Sequence, residues 1–375
     1  MSFSGWKDTS LGEIVNFRRG HDLPKSNMNP GIYPVVGSNG IIGYHDSYTT
    51  VEPCITIGRS GNVGNPHKIN QKAWAHNTTL YIDDFKGNDP NFIFYLLKTL
   101  NLQHYKGGSA VPTLNRNHIH PIALRVPIDI QDQKAIAHIL STLDEKIEVN
   151  NKINKTLEEM AQAIFKHWFV DFEFPNEDGE PYKSSGGEMV NSELGPIPKG
   201  WEVGILGDII SISSGNRPNQ RVSAQTSDFE IPLVGASSIM GYTNDYNYDE
   251  PILVIGRVGT HGVIQKFNER VWASDNTLVI KSKIYEYVYE ILREIDYKSL
   301  NRGSTQPLIT QTDIKTQKIL LPEEVVSQKY EDLININSKL QSSNNSQNAK
   351  LIKIRDTLLP KLMSGEIRVP IENEQ

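Results

Sequence analysis

Few residues of this chain have the types and spacing that chemistry on a substrate requires. His118 and His120 stand two apart and would share one face of a strand, which suits a pair of metal ligands. The matching positions of a second, similar segment hold Asp313 and Lys315, and no H-E-x-x-H pattern or third ligand lies near, so no metal is expected. Cys54 lies in the apolar run CITIG and reads as a small buried hydrophobe rather than a nucleophile. As the single cysteine it excludes an intramolecular disulfide and a Cys-rich zinc site. Gly58, Gly61 and Gly64 in GRSGNVG are spaced three apart; this is neither G-x-G-x-x-G nor a phosphate-binding G-x-x-x-x-G-K-[ST] loop. Tight turns after a strand are expected there. Asn77-Thr78-Thr79 is a glycosylation sequon by pattern only. No catalytic residue is assigned.

What the chain does carry is a set of paired polar loops, because it repeats itself. Trp6, LGEI and Gly20 recur as Trp201, LGDI and Gly215 at an offset of 195. YPVVGSNGIIGY recurs as IPLVGASSIMGY, EPCITIGRSGNVG as EPILVIGRVGTHG, and Trp74-Ala75 as Trp272-Ala273, all at 198. GGSAVPTLNRNHI recurs as RGSTQPLITQTDI, and Gln133-Lys134 as Gln328-Lys329, at 195 again. The order is kept, so one whole domain with its appendage is duplicated. Between the matched blocks the loops differ: HDLPKSNMNPG against NRPNQRVSAQTSD, SNG against ASS, SGN against VGTH.

These loops are rich in the side chains that reach base edges and phosphates. The candidate DNA contacts in the first copy are Arg18, Arg19, His21, Lys25, Ser38, Asn39, Arg59, Asn62, Lys106, Ser109 and Arg116. In the second copy they are Asn216, Arg217, Arg221, Ser237, Ser238, Arg257, Thr260, His261, Arg302, Ser304 and Gln306. Arg59 and Arg257 occupy the same place in a Gly-rich turn of both copies. A shared phosphate contact, the preferred reading, or a shared structural ion pair would each explain that.

The elements around the loops are short apolar runs such as YPVV, CITIGR and ILVIGR, punctuated by Gly, Pro and Asn, which read as strands and turns. Residues 89–102 and 284–300 read as helices, so the class is α+β. After each strand-rich part comes a long helix. In 131–169, Ile136, Leu143, Leu157 and Ile164 fall on a seven-residue grid with Asn150 in the middle slot; Ile139, Ile153 and Met160 follow three later, with Lys146 breaking that series. That pattern reads as a coiled-coil seam. The second copy carries Leu333, Ile336, Leu340, Leu351, Ile354 and Leu358 around a polar middle. The two helices are expected to pair antiparallel, with the strand-rich domains at opposite ends. The segmentation is therefore 1–130 and 201–322 for the two domains, 131–169 and 323–363 for the helices, 170–200 for a polar linker without strand or helix period, and 364–375 for a tail.

A net charge of −6 argues at first against a nucleic-acid partner, but the acid is unevenly placed. Residues 1–130 hold 12 basic and 9 acidic side chains, residues 201–322 hold 12 and 14, and the linker 170–200 holds 2 and 7. The two domains are near neutral, so a DNA contact is open. There is no run of eighteen apolar residues, and MSFSGWKDTS lacks a basic n-region and an apolar h-region; no membrane span and a cytoplasmic location are expected.

AIAHILSTLDEKIEVNNKINKTLEEMAQAIFKHWFVDFEFP, SSGGEMVNSELGPIPKGWEVGILGDI, GSTQPLIT and RDTLLPKLMSGEIRV resemble the specificity subunit of type I restriction–modification systems, in order and over essentially the whole chain. The resemblance implies two target recognition domains, each reading one half of a split, asymmetric double-stranded DNA sequence. It also implies that the two long helices form an antiparallel coiled coil that acts as a ruler for the gap. A helix of about 58 Å, at ~1.5 Å per residue, corresponds to roughly 17 base pairs. The implied partners are two methylation subunits and translocase-nuclease (restriction) subunits. S-adenosylmethionine, ATP and Mg are expected in those partners and no cofactor in this chain. The N-P-P-[FY] methyltransferase tetrapeptide is missing; NDPNF at 88–92 has one proline too few, which agrees with a non-catalytic subunit. The alternatives are a coiled-coil scaffold without DNA readout, or a DNA methyltransferase or nuclease in its own right. The family does not fix base-contacting residues by motif, so the contacts named above rest on loop chemistry and repeat position.

Overall fold

The computed structural model describes residues 5–107, 113–258, 262–300 and 308–369. By its contacts the chain divides into two compact units, Met1–Asn151 with Asn345–Gln375, and Lys152–Asn344.

In the first unit, four antiparallel strands stand in the order Asn16–Arg19, Thr79–Asp84, Cys54–Gly58, Pro66–Ile69. A smaller sheet sets Tyr33–Gly37 between antiparallel Gly40–His45 and parallel Trp74–Ala75. Trp6–Ser10 and Ala123–Pro127 pair antiparallel. The run CITIG is buried at every position, as a central strand covered on both faces must be. Pro90 opens the helix Pro90–Thr99, where Asp89 accepts a hydrogen bond from the Phe92 amide at 2.8 Å. Its apolar face packs with Phe17, Ile57 and Ile82 in a core completed by Ile136 and Leu140 of one long helix and Leu362 and Met363 of the other.

The second unit repeats this plan. Its four strands are Ser211–Ser214, Thr277–Lys281, Ile252–Gly256 and Ile264–Phe267, and its smaller sheet is Ile239–Thr243, Ile231–Val234 and Trp272–Ala273. Even the bulge recurs, between Val35 and Val36 in one copy and between Leu233 and Val234 in the other. Cys54 fills the place of Ile252, and burial pushes its thiol up to about 11, as befits a packing residue.

The segment 170–200 departs from expectation. It contains a hairpin, Met189–Ser192 paired with Gly195–Pro198. Pro196 and Pro198 mask the strand in the sequence but are tolerated in so short a ladder. Ser192 closes the turn by donating to the Gly195 carbonyl at 2.6 Å, and Gly195 adopts φ +98.

The long helices are Ile130–Phe165, continued by a π turn over Lys166–Val170, and Glu324–Met363. They run antiparallel in each unit: Asp144 meets Arg355 and Asn150 meets Asn348 in the first, and Asn154 meets Asn344 in the second. The seam needs a correction. Ile136, Leu143, Asn150, Leu157 and Ile164 do turn inward, but the positions packed with them follow at four residues, not three: Leu140, Ile147, Asn154 and Ala161. Ile153 and Met160 are exposed. The second helix shows the same slip. Leu351 and Leu358 lie on its inward grid, whereas Leu333, Leu340 and Ile354, together with Ile336, are exposed. The inward stripe runs instead through Tyr330, Ile334, Ser338, Gln341, Asn344, Asn348, Arg355 and Leu362.

Each unit also locks its short helix to a long one through charge. In the first, Tyr95 donates to Asp144 at 2.8 Å and Arg355 to the same carboxylate at 2.6 Å. In the second, Glu331 accepts from the Glu286 and Tyr287 amides at 3.0 and 2.9 Å, capping the helix Tyr285–Glu294. Buried Glu286 binds Lys266 and Ser338, and Arg293 reaches Glu158 at 3.0 Å.

Candidate nucleic-acid interface

The fold brings several of the sequence-predicted loops together in each unit. In the first, strand Asn16–Arg19 ends at Gly20, whose amide donates to the Thr79 carbonyl at 3.0 Å. A Cβ on Gly20 would lie 2.0 Å from the His76 carbonyl oxygen, so only glycine allows this approach. His21 donates to the Ala75 carbonyl at 2.8 Å, and Arg59 to the Thr78 carbonyl at 2.8 Å. The Ser38 amide reaches Thr78 Oγ1 at 3.3 Å, and Leu114 donates to the Arg59 carbonyl at 2.8 Å. The segment after Gly20, the Gly-rich turn at Arg59 and the loop His76–Thr78 are thus tied together by backbone bonds, and the hairpin turn at Ser38 joins them through the Thr78 hydroxyl.

The second unit repeats the backbone ties. Gly215 donates to Thr277 at 3.1 Å, Asn216 to Ala273 at 3.0 Å, Arg257 to Asn276 at 2.8 Å, and Ile309 to Arg257 at 3.1 Å. Scaffold bonds are shared while loop side chains change. That arrangement presents different groups to a ligand from one place.

The individual candidates divide. Arg18 is held in an ion pair with Asp83, whereas Arg19 on the same strand is exposed and makes none among the described residues. Burial, with Arg19 close by, holds the Arg59 guanidinium below its usual range. Neither Arg59 nor Arg257 forms an ion pair among the described residues. His21 stacks edge-on against Trp74 and lies 3.4 Å from the Tyr81 hydroxyl. Ser38 is buried and its carbonyl is within 3.1 Å of His67 Nε2; Asn39 and Asn62 are exposed. Lys25 and Lys106 are exposed, and Arg116 donates to the Phe17 carbonyl at 3.3 Å. Asn216, Arg217, Arg221, Ser237 and Ser238 are exposed, with the Asn216 carbonyl accepting from Trp272 Nε1 at 2.7 Å. Ser109, Thr260, His261, Arg302, Ser304 and Gln306 lie outside the described residues.

His118 and His120 do not share a strand. His118 is on the short helix Arg116–Ile119, and His120 Nε2 accepts from the Phe17 amide at 3.3 Å. Burial, with Arg116 and Lys86 nearby, lowers the His120 pKa, which favours the neutral ring that accepts this bond.

Several residues at the interface escaped sequence reasoning. In the first unit Asn77 donates to Asp22 at 2.6 Å beside the His76–Thr78 turn. In the second, a cavity of about 430 Å³ is lined by Arg217, Pro218, Asn219, Arg221, Leu233, Met240, Ser274, Asp275 and Asn276. The signal was present: Trp-Ala and a later Thr match in both copies, while His76-Asn77-Thr78 and Ser274-Asp275-Asn276 between them do not.

The family model described as "Type I restriction modification DNA specificity domain" matches residues 4–159 and 198–348. The type I restriction enzyme MjaIX specificity subunit of Methanocaldococcus jannaschii is 32% identical over 311 residues, 74% of this chain and 69% of that protein. The HindI specificity subunit of Haemophilus influenzae is 25% identical over 362 residues, 74% and 77% of the two chains. Among solved structures, the S subunit of a type I restriction–modification system from M. genitalium superposes with a TM-score of 0.66 at 16% identity, over 96% of both chains, which supports the fold. With its duplicated α+β units, their paired loops and a family match over most of its length, the chain belongs to the type I restriction–modification DNA specificity family.

Proposed function

We propose that this chain is the sequence-reading, non-catalytic subunit of a type I restriction–modification complex. Each unit binds one half of a split, asymmetric site on double-stranded DNA, and the chain directs adenine methylation and restriction carried out by partner subunits. One observation carries the reading: the same backbone bonds place loops of different composition at the same position in both units. One scaffold with two loop sets is what two unlike half-sites require.

The partners are two methylation subunits, followed by restriction–translocase subunits. Leu333, Ile336 and Leu340 lie off the helix seam and are exposed, and we assign that face to a methylation subunit. Among the described residues no helix is long and apolar enough to cross a membrane. Methylome sequencing of cells carrying the chain with its methylation subunit should return a split adenine motif. A continuous palindrome, or no methylation, would reject the proposal.

A further inference from the structure

The second unit's cavity holds three charged side chains without an ion-pair partner among the described residues. Arg217, Arg221 and Asp275 line it and make no ion pair among the described residues, whereas Asp249 of the same unit pairs with Arg270 at 3.1 Å. Two arginines alone would suit a phosphate. A carboxylate in the same cavity repels one, so Asp275 needs a donor, and at a DNA surface the available donors are the exocyclic amino groups of bases.

The repeat shows which of the charges act together. Asn216 donates to Ala273 as His21 donates to Ala75, so Arg217 stands where Asp22 does and Asp275 where Asn77 does. Asp22 and Asn77 hydrogen-bond at 2.6 Å, which puts the two positions within side-chain reach of one another. In the second unit the two positions carry a fork of donors and an acceptor that line one cavity.

We propose that Arg217 and Asp275 together read one G·C base pair through its major-groove edge. The inference rests on the DNA-reading function proposed above. Guanine offers O6 and N7 as acceptors for the guanidinium, and the paired cytosine offers its N4 amino group to the carboxylate. An A·T pair in the same orientation leaves arginine only the adenine N7 acceptor, sets its second donor against the adenine amino group, and sets the carboxylate against thymine O4. The pair therefore discriminates by rejection, chiefly at the carboxylate, as well as by attraction. In the first unit Asp22 and Asn77 supply a different set of groups at these positions.

The test is methylome sequencing of cells expressing the full chain with its methylation subunit, wild type against Asp275→Asn, Asp275→Ala and Arg217→Ala. The wild-type motif should contain a fixed G·C pair in one half. Each variant should reduce the preference for it by roughly 5- to 150-fold at that position only. The other half of the motif should stay as in wild type, which shows the variant chains folded and assembled. Unchanged motifs in all three variants would overturn the inference. So would a uniform loss of methylation with the motif intact, the mark of a phosphate contact, or a wild-type motif without a fixed G·C pair. A wild-type chain giving no split motif would instead overturn the proposed function.

Discussion

Asn150 donates from Nδ2 to Asn348 Oδ1 at 2.8 Å, and both side chains are buried in the seam of the first unit. Asn348 in turn donates to Asn151 at 2.9 Å. A buried amide pair is a poor source of stability but a strong source of register, because a slipped partner leaves both amides unpaired.

Asn150→Ala should therefore lower stability by about 1–3 kcal/mol, since it strands the Asn348 carbonyl oxygen away from water. Replacing both residues by leucine removes the unpaired group and should recover most of the loss. Thermal unfolding of the single and double variants measures this. A double variant no more stable than Asn150→Ala would show that the amide pair is not the cause.

The two units should respond to pH in opposite directions. Burial pushes the carboxyls of Glu290 and Glu331 up to about 7. Arg293 and Lys266 oppose this at Glu290, with Glu158 and Glu286 adding to it, and at Glu331 two backbone amides fail to outweigh burial. Such carboxyls bind protons more tightly folded than unfolded. Their contribution is full below about pH 4.5 and fades as pH rises to about 7. Burial also opposes ionisation of Asp144, but Arg355, Lys98 and Tyr95 together hold its carboxyl below the usual range. Its contribution is present above about pH 4 and is lost in acid. Unfolding of the second unit should occur at lower temperature at pH 7.5 than at about pH 5. Glu290→Gln should flatten that slope, and a variant as steep as wild type would contradict the assignment.

Leu333 and Leu340 are 42% and 46% exposed, so their loss breaks little packing. Leu333→Gln with Leu340→Gln should leave stability within about 0.5 kcal/mol per site. If this face holds a methylation subunit, the same double variant should no longer co-purify with it. Retained co-purification would place the contact elsewhere on the chain.

The duplicated scaffold was legible because its markers are chemically constrained: glycines where backbones touch, and the Trp-Ala pair beside them. The seam was legible only in part. Residues three and four after a grid position lie on neighbouring flanks of a helix, and Leu333, Leu340 and Ile354 put greasy side chains on the wrong one. The true stripe runs through Ser338, Asn344, Asn348 and Arg355, which no hydrophobic count selects. At the interface Asp275 was missed because a carboxylate counts against DNA until its place beside Arg217 is known.

The glycines that brace the loops give the sharpest test of independence. A Cβ at Gly20 would sit 2.0 Å from the His76 carbonyl oxygen, and one at Gly215 would sit 2.2 Å from that of Ser274. Contact with a backbone oxygen cannot be relieved by a rotamer change, so alanine must push the strand end and its loop apart by about 1 Å or more. The Gly215 amide bond to the Thr277 carbonyl, 3.1 Å long, would be the first to break. Gly215→Ala should blur only the half-site read by the second unit, and Gly20→Ala only that read by the first. Methylated motifs from the two variants would show it directly. If either substitution blurred both halves, the units would not be independent readers, and coupling through the long helices would have to be measured next.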